Sequence, residues 1–398
     1  MTTALIIGGG IAGPVSAMAL QKAGIDSIVY EAYPTGADDV GAFMTVMNNG
    51  LDALRAVDAE QAVLDQSFPA NAVEFFSGTG KRLGEVPIRG GSAGAHGPHT
   101  ITRAGLYRVL HDEMQRRGIP IEHGKRLTGA TTTSDRVVAT FADGSRAQGD
   151  LLIGADGIHS ITRSLIDPEA PKPRYTGATT LCGYATDAPV DPRAGVYRMI
   201  YGKRVFFAYT TAPDGRTWWF VNIPGPELDR QQLADTSPGE WKKRALDLVA
   251  RDKTSASAII EATDTEITGS NGYDITSTPR WHANRMLLVG DAAHVAAPNA
   301  GHGASMAIED GVVLGQCLRD CTTIDAAFTT YEQARRTRVE QVVATSARMG
   351  STAIPSLTKR IIRDLVLPRK FKKGPRNTAS WLTGHHIDWD TTMSSATG

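Results

Sequence analysis

Apolar positions along this chain follow two different periods. Thr3 to Ile7 is a short unbroken apolar run, Gly8 to Gly13 a turn, Pro14 to Ala23 a helix-period segment and Asp26 to Tyr30 a second strand, which together spell a βαβ unit. Further on, Val137 to Phe141 and Ser145 to Gln148 flank Asp143-Gly144, a hairpin-forming dipeptide, and the apolar run Leu151 to Gly154 follows at once. These runs read as a three-stranded meander. From Arg204 to Ile223 two aromatic-rich runs flank the turn Pro213-Asp214-Gly215-Arg216 with no helical period, as expected of antiparallel strands.

Met286 to Val289 predicts another buried strand, Ala304 to Arg319 returns to helical spacing, and the C-terminal third is helical up to Pro355. Leu357 to Leu367 predicts an amphipathic helix, followed by the basic run Arg369 to Lys373 and a polar tail with His385, His386 and Trp389. Neither a repeat nor a low-complexity linker separates these regions, so interleaved units are expected. A nucleotide-binding unit would comprise residues 1–72, 97–170 and 278–350. Residues 73–96 and 171–277 would insert a mainly antiparallel sheet for substrate, and 351–398 would form a C-terminal helix and tail. The fold class is α/β: a Rossmann-like unit, an inserted β-sheet unit and a helical C-terminal region.

Composition narrows the function. With 398 residues the chain exceeds what one core usually supports, and 42 basic against 42 acidic residues leave no global field for nucleic acid or an anionic membrane. The 41 glycines predict several sharp turns or close backbone approaches to a ligand. Cys182, Cys317 and Cys321 are too few and too scattered for a disulfide framework or a zinc site, so no metal is expected and a reducing, cytoplasmic setting fits. Met1 to Gln21 lacks the basic leading region of a secretory signal, and no segment approaches the roughly 20 apolar residues of a membrane span.

The chemistry concentrates in three motifs. Gly8, Gly10 and Gly13 form GxGxxG between a strand and a helix: the first glycine permits the turn, the second lets a pyrophosphate touch backbone, and the third lets helix pack on sheet. Glu31, closing the second strand, is placed to accept ribose hydroxyls and disfavours a 2′-phosphate. The second motif, Gly154-Ala155-Asp156-Gly157-Ile158-His159-Ser160 ending at Arg163, lies at a strand's carboxyl end, where open α/β sheets bind ligands. The third runs from Gly290-Asp291-Ala292-Ala293-His294 to Pro298-Asn299-Ala300-Gly301-His302-Gly303, ahead of a helix containing Glu309-Asp310. There Asp291 could bind the hydroxyls of a sugar-like chain, and amides around Gly301 to Ser305 could stabilise negative charge on a reduced ring.

In this order and at these intervals the motifs resemble the class A FAD-dependent aromatic monooxygenases, the p-hydroxybenzoate hydroxylase-like family, from Thr3 to about Arg348. The resemblance implies that Gly8, Gly10, Ile11, Ala12, Gly13, Glu31 and Ala32 hold the ADP half of FAD. Asp156-Gly157 belongs to a motif associated with FAD and NAD(P)H, and Asp291 matches the ribityl-binding residue. Pro298, Gly301, His302, Gly303 and Ala304 would lie along the isoalloxazine. Arg103 matches an arginine near the flavin phosphate and ribityl, Leu127 a position whose backbone meets adenine, and His294 one beside the dinucleotide. Pro14 replaces a commoner Leu, tolerated in the first helical turn. His302 replaces a commoner Gln, and Ser305 an Asn.

The implied activity is an NAD(P)H- and dioxygen-dependent hydroxylation of a small or polycyclic phenolic or heteroaromatic substrate through a flavin hydroperoxide, by an enzyme that is monomer or homodimer. NADH or NADPH would bind transiently, since a single dinucleotide fingerprint is present. Arg204, Phe206 and Ala208 should share one strand face, as should Trp218, Phe220 and Asn222. A pocket of Arg204, Phe206, Trp218 and Phe220, with Pro298, would suit a planar aromatic carrying an oxyanion, burial as ordinary core being the alternative for each aromatic. The spacing of Arg204 before the turn resembles flavin urate hydroxylases, although Trp218 stands where they have Tyr. His302 is a candidate proton relay. His385, His386 and Arg369 to Lys373 are read as surface, and Cys317 and Cys321 as small core residues on one helix face.

Other readings use the same fold. A halogenase would carry W-x-W-x-I-P, but in Trp219-Phe220-Val221-Asn222-Ile223-Pro224 the second tryptophan is Val221. A flavin-dependent prenyl or lipid reductase or epoxidase would use Leu357 to Lys373 as an anchor, and a non-catalytic FAD-binding protein would keep the coenzyme as a clamp.

Overall fold

A computed structural model of the protein describes residues 2–35, 42–88, 96–264, 266–296, 301–349, 356–372 and 380–393. The chain begins β1 (Thr3–Ile7), α1 (Ala12–Lys22), β2 (Asp26–Tyr30), β3 (Phe43–Val46), α2 (Asn48–Ala56), α3 (Glu60–Asp65), β4 (Phe68–Pro69), β5 (Ala72–Ser77) and β6 (Arg82–Pro87). It continues through β7 (His99–Thr102), α4 (Arg103–Arg116), β8 (Ile121–Glu122), β9 (Leu127–Thr132), β10 (Val137–Phe141), β11 (Arg146–Gly149), β12 (Leu151–Gly154) and α5 (Ile161–Ile166). Next come β13 (Arg174–Ala185), β14 (Val196–Tyr201), β15 (Phe206–Thr211), β16 (Thr217–Pro224), α6 (Arg230–Asp235), α7 (Pro238–Val249), α8 (Ala256–Glu261) and β17 (Ile267–Asp274). The last elements are β18 (His282–Ala283), β19 (Met286–Leu288), α9 (Gly303–Asp320), α10 (Ile324–Met349), α11 (Leu357–Lys372) and α12 (Ser380–Thr383).

Four sheets result. The six-stranded one has the order β18-β19-β12-β1-β2-β8, parallel except at β18. The expected meander is corrected: it is β9-β10-β11, and β12 leaves it to lie beside β1. The reason is burial. Every residue of Leu151–Gly154 is buried, which only a strand covered on both faces achieves, whereas β11 alternates. Pairing Ile7 with Gly154 brings the carboxyl ends of β1 and β12 side by side, so the first two motifs meet.

The seven-stranded sheet, β17-β13-β16-β15-β14-β5-β6, draws strands from 72–87 and 174–274. It is antiparallel apart from β14 beside β5. Alternation gives each face its own core. Phe207, Tyr209, Trp219 and Val221 pack with Trp241 and Val249 of α7 and Ile259 and Ile260 of α8. Trp218, Phe220 and Tyr197, on the other face, meet Phe43 and Phe68 from the small β3-β7-β4 sheet. Tyr197 fastens the two together, its hydroxyl 3.0 Å from Thr45 Oγ1 and 2.8 Å from Thr100 Oγ1.

The tail folds back on the first unit. Ile387 and Leu382 are buried, and Gln316 and Arg319 donate to the Trp389 carbonyl. His386 is exposed beside Asp52, while His385 is half-buried, more enclosed than a free tail. Helix α11 runs past the expected end at Leu367, through Pro368. Proline cannot supply the N–H that the Asp364 carbonyl would accept, and Lys81 Nζ donates to that carbonyl instead, at 3.4 Å.

Small residues let α9 lie against α1. A Cβ added to Gly311 would sit 2.8 Å from the Ser16 nitrogen, and one on Gly315 2.7 Å from the Ala19 Cβ. Gly311→Val should therefore push the helices apart and cost about 1–3 kcal/mol, read as a lower urea midpoint at unchanged m-value. An unchanged midpoint would show that the crossing tolerates bulk.

Candidate functional site

The glycine turn is shaped by collisions that side chains would cause. Gly8 has φ +107°, and a Cβ there would lie 2.3 Å from the Ala155 carbonyl oxygen; on Gly13 it would lie 2.0 Å from the Gly8 oxygen. Gly10 meets nothing within 4 Å, leaving bare backbone exposed to a ligand. No side chain caps α1 at Ile11, so amides of its first turn, at Ala12 and Gly13, are available to an anion. Glu31, buried, accepts from the Gly9 N–H at 2.7 Å and the Tyr33 N–H at 2.9 Å, and each oxygen keeps a lone pair for a hydroxyl. Ala32 is half-buried beside it. Sequence reasoning missed His111, whose Nε2 is 2.6 Å from the Gly9 carbonyl and whose ring stacks on Tyr107.

The second motif is largely a brace. Asp156 accepts from Ser160 Oγ at 2.5 Å and from the Thr162 N–H and hydroxyl at 3.0 and 3.1 Å, which fixes the start of α5. Burial raises its carboxyl above the usual range against those hydrogen bonds. Gly157, at φ +74°, has open space around it. Arg163, 3% exposed, donates to the Ile158 and Ala292 carbonyls and so staples the second motif to the third. Leu127 is buried opposite Phe141, two residues beyond Lys125, whose N–H donates to the Glu31 carbonyl.

Gly290, at φ +58°, lets the third motif approach α1: a Cβ would lie 2.9 Å from the Ala12 Cβ. Asp291 follows with an exposed side chain among crowding protein atoms, which push its carboxyl up while His294 and Arg103 pull it down. Arg103, the exposed first residue of α4, thus stands within electrostatic reach of Asp291. Gly301 has φ +64° and faces Met47 Cε; Gly303 and Ala304 are half-buried at the start of α9. Pro298 lies outside the described residues. His302 is buried with an unpartnered Nδ1, and burial with the Arg338 charge lowers its pKa to about 4, against Glu309. Its imidazole is therefore neutral at pH 7, in the field of charges beneath α9.

Those charges form a network that sequence reasoning passed over, although two adjacent acids within the apolar stretch Met306–Leu314 of α9 are a signal for buried partners. Asp310 accepts from the Gly290 N–H at 2.9 Å and from Arg335 at 2.8 Å, and lies 2.6 Å from His294 Nε2. Glu309 takes Arg335, Arg338 and Asn49. Ser305 Oγ accepts from the Met47 N–H at 2.9 Å, so the turn before α2 clamps the same helix.

On the aromatic face, Trp218 packs 5.7 Å from Phe43, 5.2 Å from Phe68 and 5.5 Å from Tyr184, ring to ring. Phe220 lies 6.0 Å from both Phe43 and Phe206. Arg204 is corrected: it falls in the turn before β15, is exposed, and donates to the Asp247 carbonyl of α7, behind the sheet. Strand alternation does not extend into that turn. Phe43, Phe68, Tyr184 and Tyr197 went unrecognised because they come from separate short strands without a shared local pattern.

Burial alone would raise both acids of the network, but Arg335 with Arg338 at Glu309, and His294 with Arg335 at Asp310, outweigh it and hold each at about 2. With folded values below unfolded ones near 4, their contribution is full above about pH 5 and lost as pH falls toward 2. The thermal midpoint should drop across that window. Arg335→Leu, which strips both acids of a buried partner, should cost about 3–5 kcal/mol in urea titrations at neutral pH.

Comparison with known proteins identifies the family. The FAD binding domain family matches residues 1–346. Aurachin C monooxygenase/isomerase of Stigmatella aurantiaca is 32% identical over 87% of this chain and 88% of its own. The FAD-dependent urate hydroxylase of Klebsiella pneumoniae is 33% identical over 85% and 87%. The crystal structure of Klebsiella pneumoniae HpxO complexed with FAD and uric acid superposes with a TM-score of 0.82 at 26% identity, covering 92% of this chain and 93% of that one. The bare Gly10 backbone, the acceptors left on Glu31 and the accessible Asp291 beside Arg103 are the groups such a dinucleotide needs. The chain belongs to the FAD binding domain family, as a class A flavoprotein monooxygenase that uses FAD.

Proposed function

We propose that the enzyme hydroxylates a neutral planar phenol or heteroaromatic held against Phe206, Trp218 and Phe220, and that NADH or NADPH is its reductant. The carrying observation is the aromatic face itself, together with the absence of Arg204 from it. Among the described residues the cation lying over a ring of this cluster, Arg216 over Tyr184, is paired with Asp214 at 2.9 Å. An anionic ring such as urate would find no free positive charge among these residues. A neutral ring stacks well there.

FAD, once reduced, supplies the oxygen-activating chemistry. The chain positions and insulates. Amides of Gly10 to Gly13 would meet the pyrophosphate, Glu31 the ribose, and Asp291 with Arg103 the ribityl and phosphate section. Amides at the start of α9, from Gly301 to Ala304, would favour negative charge on the ring. Rings of Phe43, Trp218 and Phe220 would exclude water and fix the plane of the substrate. The neutral imidazole of His302 could accept a proton through Nδ1. None of the three cysteines forms a disulfide, which suits a cytoplasmic enzyme.

The test is NAD(P)H oxidation by the FAD-loaded protein with a panel of neutral and acidic aromatics. Stimulation with a hydroxylated product is expected, and absence of reduction with every compound would overturn the reading. Trp218→Ala should raise KM for the best substrate roughly tenfold while bound FAD stays constant. Arg204→Ala should leave KM unchanged for acidic and neutral compounds alike. Asp291→Ala should lower the FAD-to-protein ratio; normal flavin content would misplace the ribityl site.

A further inference from the structure

Helix α11 is mounted inside out. Its polar side faces protein: Arg360 donates to the Lys203 carbonyl, and Arg363 donates to the Tyr201 carbonyl and lies over the Tyr201 ring. Its apolar side faces solvent. Leu357, Ile361, Ile362, Leu365 and Val366, spaced at helical intervals along one face, are between 39% and 63% exposed. Exposed Lys359, Arg369 and Lys370 flank or extend this stripe, and Asp364, the helix's acid, is tied to Arg363. In a chain of zero net formal charge, this concentration of apolar and basic residues is local.

The same helix reaches the aromatic face. Phe371 stacks on Phe75 at 4.8 Å, in space left by Gly84, where a Cβ would come within 3 Å of its ring. From Phe75 ring contacts continue to Tyr201 at 6.1 Å, to Phe206 at 5.6 Å and to Phe220 at 6.0 Å. An unbroken aromatic run thus leads from α11 to the ring cluster at Trp218.

We propose that α11 docks the protein onto an anionic bilayer surface, its apolar stripe entering the headgroup boundary and Lys359, Arg369 and Lys370 meeting lipid phosphates. No described helix is long and apolar enough to cross a membrane, so the contact is peripheral. Charge selects this occupant: a second copy would bring the same basic flanks into opposition. Docked in this way, α11 would hold the outer end of the aromatic run, Phe371 on Phe75, on the membrane-facing side of the protein. Docking does not rest on the hydroxylase reading.

The experiment is flotation of the FAD-loaded full chain with phosphatidylcholine vesicles containing or lacking phosphatidylglycerol, without substrate. Bound protein should rise with phosphatidylglycerol and fall with salt. Ile362→Glu with Leu365→Glu should abolish flotation, and Lys359→Glu with Lys370→Glu should weaken it roughly tenfold or more. Both pairs are solvent-exposed, so flavin content and thermal midpoint should match the parent protein. Failure of the parent chain to float at any composition, or equal flotation of the Glu variants, overturns the proposal. So does sedimentation showing a dimer that Ile362→Glu dissociates. The NAD(P)H assay is read without vesicles, so either idea can fail alone.

Discussion

A carboxylate without solvent access governs the geometry of the candidate coenzyme site. Asp310 holds the Gly290 amide, the His294 ring and the Arg335 guanidinium at once, so the loop presenting Asp291 is referenced to α9 rather than to solvent. Glu309, one residue earlier, ties the same arginine to Asn49 and Arg338. Burying such charges is costly unless every partner is present. Here the partners come from α2, α9, α10 and the Gly290 loop, so the network forms only when these elements have assembled.

Against that anchored loop the other motifs are set by contact distance. Gly8 and Gly13 are required because neighbouring carbonyls occupy the space of a side chain, and Arg163 joins the Asp156 loop to the Asp291 loop through two backbone carbonyls. The motif residues thus divide into those with open space or exposure beside them, Gly10, Gly157 and Asp291, which are proposed to meet the dinucleotide, and those that brace the loops. Asp156 belongs to the second kind, its oxygens being taken by Ser160 and Thr162.

Local pattern made much of this legible. The βαβ start, the Asp143-Gly144 hairpin and the aromatic hairpin about Pro213 to Arg216 follow from period and turn chemistry. Other features depend on partners distant in sequence. Leu151 to Gly154 looks like the next strand of a meander until its burial on both faces places it beside β1. Arg204 matches the parity of Phe206 but lies in a turn, where alternation carries no information. The partners of Trp218 come from strands near residues 43, 68, 184 and 197, and nothing short-range joins them.

The stretch from Phe43 to Asn49 has two duties. Phe43 walls the aromatic cluster, Thr45 holds the Tyr197 hydroxyl, and Met47 and Asn49 grip Ser305 and Glu309 of α9. Strand β3 ends at Val46 and α2 opens at Asn48, so strand and helix start are joined through Met47 alone and the segment acts as a short stiff lever. A guest molecule that displaced the Phe43 ring would transmit the movement to the amide holding α9. Occupying the aromatic cluster and shifting the start of α9, where the ring of the yellow coenzyme is proposed to lie, would then be one mechanical event, visible as a colour change on titration.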